Sequence, residues 1–175
     1  MNFDVAGPFE VSRHGPKALI TKQSMARLKL QLEEWAEGLS ESCGCYVFAL
    51  RAGKGYTPHY VGQSCKNSLL KESLNATNVG TYNEILGESK GTPVIFLIPL
   101  LTPNGKFRKQ TTSDGALPAV DFLERWLIAE ALRKNDELKN NKETMFLRNI
   151  HVVGLFNPTR GESTSAAQAL KDVLY

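Results

Sequence analysis

A layered α+β domain is the fold the sequence predicts: a small central sheet of three strands, antiparallel or mixed, flanked by helices, with an extension at each end. Three patterns point to it. Residues 45–50, "CYVFAL", and 93–101, "PVIFLIPLL", are apolar on both faces of a strand, as expected of strands covered on both sides. Residues 21–37 and 118–134 instead bring apolar side chains round at helical spacing. Between the two apolar runs lies a second strand-like stretch, joined to the first by the glycine-bearing "RAGKGYTP" as an antiparallel hairpin.

A chain of 175 residues, 42% hydrophobic and 22% charged, can bury one substantial core and shows no internal repeat or low-complexity segment. Its organisation reads as an extension over 1–42, a central domain over 43–142, and a strand and helix over 143–175 packed on that domain. The opening "MNFDVAGPFEVSRHGPKALI" lacks the basic-then-apolar pattern of a secretory signal, and no segment is apolar enough to span a bilayer, so a cytoplasmic protein without a membrane partner is expected. The net charge of +3 tolerates a polyanionic partner without requiring one.

Taken in order, Met25, Leu28, Leu32 and Trp35 form the apolar stripe of an amphipathic helix from Thr21 to Glu37, ending near Gly38. A short helix from Ser68 to Leu74 follows the hairpin, then a polar stretch to Gly91. The third strand accommodates Pro99. After it comes a loop or hairpin with a turn at Asn104-Gly105 and a basic tip of Lys106, Arg108 and Lys109. The strongest helix runs from Pro118 to Lys134, with Val120, Leu123, Leu127, Ile128, Ala131 and Leu132 on one arc. A short strand, a turn at Asn157-Pro158 and a closing helix capped by Ser163 or Ser165 complete the chain.

Several residues stand out chemically. Glu124 sits inside the apolar arc of its helix, where a carboxylate must be paired, metal-bound or protonated. Cys43, Cys45 and Cys65 are odd in number; buried free thiols are expected rather than zinc, for which His59 would be the nearest fourth ligand. His59 alternates to the face opposite Tyr60 and reads as structural, as does His151 in its apolar run.

The order hairpin, helix, strand, helix, with "GCY" (Gly44, Cys45, Tyr46) on the first strand and "YVG" (Tyr60, Val61, Gly62) on the second, resembles the GIY-YIG nuclease superfamily over about residues 43–142. "ERWLI", with Glu124 four residues before Ile128, matches that family's helix glutamate, and Asn140 or Asn141 stands where an asparagine commonly follows. The best register puts Lys71 where the family has an arginine and Asn75 where it often has a histidine, four residues apart on one helical face.

The resemblance implies metal-dependent hydrolysis of DNA phosphodiesters. Tyr46 would act on the attacking water and Tyr60 would hold phosphate or water in line. Lys71 would contact the phosphate as a point charge, and Glu124 would bind Mg²⁺ or Mn²⁺. Gly44 and Gly62 would leave room for the phosphate backbone; Asn75, Asn140 and Asn141 would bind substrate, and a homodimer would suit double-strand cleavage. Because lysine and asparagine replace arginine and histidine, a non-catalytic nucleic-acid-binding or regulatory member is the alternative. A protein-interaction domain that keeps only the scaffold is a third reading.

Overall fold

The computed structural model describes residues 1–109, 117–140, 144, 148–150 and 164–174. They fall into two compact units, Met1–Lys139 and Asn140–Tyr175.

The first unit opens with two short strands, β1 (Asn2–Phe3) and β2 (Ala6–Glu10), in the segment the sequence predicts as a helical extension only. Helix α1 spans Lys22–Trp35. Thr21 caps it by accepting the Gln23 N–H (3.3 Å), while the Thr21 N–H is returned to Ser24 Oγ (2.9 Å). Ser24, Leu28 and Leu32 form its buried face. Trp35 is not on it: its ring is 59% exposed and meets Phe9 edge-on, while Leu39, in the short 3₁₀ turn that follows, is fully buried.

Strands β3 (Gly44–Ala52) and β4 (Gly55–Ser64) form the expected hairpin. The predicted eight-residue connection is mostly strand, and only Gly53-Lys54 turns, with Gly53 at φ 58°. A tight turn needs just one residue in the left-handed region, and glycine supplies it without steric cost. The register runs Tyr46↔Gly62, Phe48↔Tyr60 and Ala49↔Pro58, so His59 is an extra residue at a β-bulge.

The next segment differs most from expectation. A helix of five residues, α2 (Leu69–Ser73), ends at Leu74, and Asn75 starts a new thirteen-residue helix, α3 (Ala76–Glu88), where the sequence reads as polar connection. Asn78, Tyr82 and Ile85 are its buried face. Their spacing is helical, but one of the three is an amide and two glycines interrupt the run, so the periodicity is hard to see. The Tyr82 ring stacks on Phe48 with centroids 3.9 Å apart.

Strand β5 (Thr92–Leu101) lies antiparallel on the other side of β3, and both β1 and β2 pair antiparallel with β5. The sheet therefore has five strands, not three, in the order β1-β5-β3-β4 with β2 also on β5. The two added strands are too short to declare themselves without the β5 edge they cover. Helix α4 runs Pro118–Lys134 as predicted, burying Val120, Ile128, Ala131 and Leu132. The main core gathers Tyr46, Phe48, Leu69, Leu70 and Tyr82 around the sheet, each such side chain contributing about 1.5–3 kcal/mol on burial. Among the described residues, no helix is long and apolar enough to cross a membrane.

In the second unit, helix α5 spans Ser165–Leu174. Its cap is Thr164, whose Oγ1 accepts the Ala167 N–H at 3.1 Å, rather than Ser163 or Ser165. The predicted short strand with His151, the Asn157-Pro158 turn, and Asn141 lie outside the described residues.

Candidate functional site

The two glycine–tyrosine motifs are one piece of packing. Because Tyr46 faces Gly62 and Phe48 faces Tyr60 across the hairpin, the two tyrosines are diagonal neighbours on one face of the sheet, with ring centroids 6.4 Å apart. A Cβ at position 62 would stand 2.3 Å from Tyr46 Oη and 2.4 Å from Cζ, so the Tyr46 ring lies across the glycine. Gly44, at φ 150°, is held for a different reason: a Cβ there would come within 2.2 Å of the Ile98 carbonyl oxygen on β5. The space that the family resemblance assigns to a phosphate backbone is thus taken up by the protein itself at both glycines.

Around the phenols runs a chain of side-chain amides. Asn78 Nδ2 donates to Tyr46 Oη and to the Glu72 carbonyl, both at 2.8 Å. The Glu72 carboxylate accepts from Asn67 Nδ2 (2.7 Å) and Asn75 Nδ2 (3.0 Å), and Asn75 Oδ1 in turn caps α3 by accepting the Asn78 N–H (2.8 Å). Asn75 and Lys71 therefore do not share a helical face, contrary to the sequence register: Lys71 belongs to α2 and Asn75 begins α3. The break follows from Ser68 and Asn75 both serving as caps, which compete with helix continuation.

On the α4 side, Gln63, the residue after the second motif glycine, donates from Nε2 to Asp121 Oδ1 (2.7 Å) and Glu124 Oε2 (3.0 Å). These carboxylates stand three residues apart, so they project from one side of the helix. Glu124 is half-buried and accepts from this amide.

The charges bearing on both rings are carboxylates. Burial pushes the Tyr46 phenol up, with Tyr60, Glu72 and Glu124 adding to the rise and the Asn78 hydrogen bond opposing it. Burial, then Glu124, then Glu72 raise Tyr60. At neutral pH both groups are protonated, and Tyr46, already accepting from Asn78, retains its own O–H to donate.

Lys71 is exposed on α2. Asn140 belongs to the second unit, where its carbonyl accepts a hydrogen bond from Thr144 Oγ1. Cys43, Cys45 and Cys65 are buried free thiols, with burial raising each of them. His59 Nδ1 lies 3.4 Å from Asn135 Nδ2, a structural contact.

Sequence reasoning missed Gln63, Glu72 and Asn78. Only the i, i+4, i+7 relation of Asn78 to Tyr82 and Ile85 could have flagged one of them.

Among the described residues, no group of three or more His, Cys, Asp or Glu side chains is arranged to hold a metal. Mg²⁺ commonly needs only one or two carboxylates, completing its shell with water and phosphate oxygens, and Glu124 with Asp121 supplies hard oxygen donors of that kind. Comparison with known protein families, curated proteins and solved structures finds no match to this chain.

Proposed function

We propose that the protein is a GIY-YIG-type domain that hydrolyses DNA phosphodiesters with a divalent metal. The observation that carries this reading is the pairing of Tyr46 and Tyr60 on one face of the β3–β4 hairpin, ring centroids 6.4 Å apart, with Glu124 of α4 held at the same hairpin by Gln63 at 3.0 Å. The central position of β3, between β4 and β5, also suits the element order on which the resemblance rests.

In this scheme Glu124, with Asp121, holds Mg²⁺ or Mn²⁺, and Gln63 fixes the two carboxylates in place. The metal supplies Lewis-acid polarisation of a phosphoryl oxygen and a more acidic bound water. Tyr60, half-buried at the rim, donates a hydrogen bond to phosphate or water. Tyr46 is a poor base because its surroundings are anionic; it serves as a neutral donor that orients the attacking water or a phosphate oxygen.

The test is incubation of supercoiled plasmid and of single-stranded DNA with Mg²⁺, Mn²⁺ or EDTA. Metal-dependent cleavage is expected. Glu124→Gln removes a contribution of several kcal/mol, so the rate should fall by more than about 100-fold. Cleavage in EDTA, or undiminished cleavage by the variant, would remove the proposed site.

A second reading, a nucleic-acid-binding member without turnover, is favoured by Tyr46 being only 2% exposed and by an exposed lysine at 71 in place of a forked arginine. It predicts salt-sensitive binding with no product on any substrate.

A further inference from the structure

We propose that the cleft between α1 and α2 is a track for the phosphate backbone of a single nucleic-acid strand, built in large part by the amino-terminal extension; this rests on the nucleic-acid reading above. The cleft encloses about 430 Å³. Along α1, Lys22, Met25, Ala26 and Lys29 line it at i, i+3, i+4 and i+7, a single helical face with a cation at each end. From the other side come Lys66, Asn67, Leu70 and Lys71.

Four lysines thus converge on one concavity, against one acidic lining residue, Glu41. Among the described residues none of the four is in an ion pair. The contrast with Lys139 is direct, since its Nζ sits 3.2 Å from Glu84 and 2.8 Å from Glu88. Glu33, one turn beyond Lys29, gives its carboxylate to the N–H groups of Gly38 (2.9 Å) and Ser40 (3.2 Å), and Lys29 acts on it as the weakest of its influences, without an ion pair. Like charges gathered in a cleft focus a positive potential that a polyanion relieves.

The rest of the lining selects among anions. Met25, Ala26 and Leu70 offer an apolar floor that suits a sugar or base face and gives nothing to inorganic phosphate. Asn67 connects the cleft to the tyrosine site, because it lines the cleft and also donates to the Glu72 carboxylate at 2.7 Å.

The test reads fluorescence anisotropy of a labelled single-stranded DNA and its duplex across a salt series, in EDTA so that no cleavage intervenes. The variant K22Q/K29Q/K66Q/K71Q is compared with the charge-matched K17Q/K54Q/K90Q/K106Q, whose positions do not line the cleft. Single-strand affinity should fall at least about tenfold in the first variant alone, and the slope of log K against log salt should shrink by about 3, or about 0.7 for each phosphate left without its lysine. Equal losses in both variants, unchanged affinity in the first, or no binding by the native protein would each overturn the assignment. So would competition by inorganic phosphate as strong as that by oligonucleotide, which would mark a free-anion site, or tighter binding of the duplex. An unchanged melting curve checks that the cleft variant is folded. Cleft-dependent binding without cleavage would sink the hydrolase reading alone, whereas cleavage with cleft-independent binding would sink the cleft alone.

Discussion

The two sides of α2 are built on opposite principles. Toward the sheet, Glu72 joins a part-buried layer of phenols, amides and carboxylates linked through Asn67, Asn75 and Asn78, in which the buried Tyr82 hydroxyl has no partner among the described residues. Toward α1, Lys71 opens on a cleft whose lysines make no ion pair among the described residues. The first side is fixed by shape and hydrogen bonding, the second only by charge. Substitutions on the sheet side should therefore register as lost stability, and those in the cleft as lost binding with stability intact.

The largest effects belong to the motif glycines. Gly44→Ala drives a Cβ to 2.2 Å from a backbone oxygen of β5 at φ 150°, and neither strand can yield without breaking their pairing. We expect a loss of about 3–5 kcal/mol. Gly62→Ala meets a side chain, the Tyr46 ring at 2.3 Å, which can shift at the expense of its neighbours; about 1–3 kcal/mol is expected. Each cleft Lys→Gln change should stay within about 0.5 kcal/mol. Urea midpoints measure all of these, and a lysine variant as destabilised as Gly62→Ala would break the contrast between the two sides.

Asn78→Ala comes next. Its amide donates to both Tyr46 Oη and the Glu72 carbonyl; its removal leaves the buried Tyr46 Oη short of a donor and the carbonyl with the Asn75 N–H at 3.2 Å, at a loss of about 1–3 kcal/mol. The Tyr46 phenol should also titrate still higher, because the Asn78 bond opposes the other influences on it. A double-mutant cycle with Tyr46→Phe should give a coupling of about 1 kcal/mol; additivity would show that the amide chain is not acting as one network.

How much of this the sequence discloses depends on whether the information is local. The α4 boundaries, the hairpin and the β5 strand follow from periodicity and turn residues, and all are found. Helix α3 is hidden because its buried face includes Asn78 and its run contains Gly80 and Gly87, so composition masks a helical spacing. Strands β1 and β2 are legible only against the β5 edge they cover. At the site, Tyr46, Tyr60 and Glu124 can be picked out as motif residues. The reason for Gly62 cannot, because it lies in where a ring two strand positions from Tyr60 comes to rest. Gln63 and Glu72 resemble any surface amide or acid until the strands and helices around them are placed.

The smallest effect tests what the buried side does with a positive charge. His59 is the extra residue of the β4 bulge, 8% exposed, with Nδ1 toward Asn135 and its carbonyl accepting the Lys139 N–H at 2.9 Å. Burial lowers its pKa, Lys139 lowers it further, and Glu137 works in the opposite sense. Above an unfolded-state value of about 6.5, both folded and unfolded forms carry a neutral imidazole, so His59 adds no pH dependence there. As pH falls below about 6.5 the unfolded chain takes up a proton that the folded chain refuses, and stability declines until the pH passes the lowered folded value. Urea midpoints of the native protein between about pH 7.5 and pH 5.5 should therefore fall more than those of His59→Gln, by less than either substitution effect above. Identical pH profiles would mean that the bulge accommodates the imidazolium.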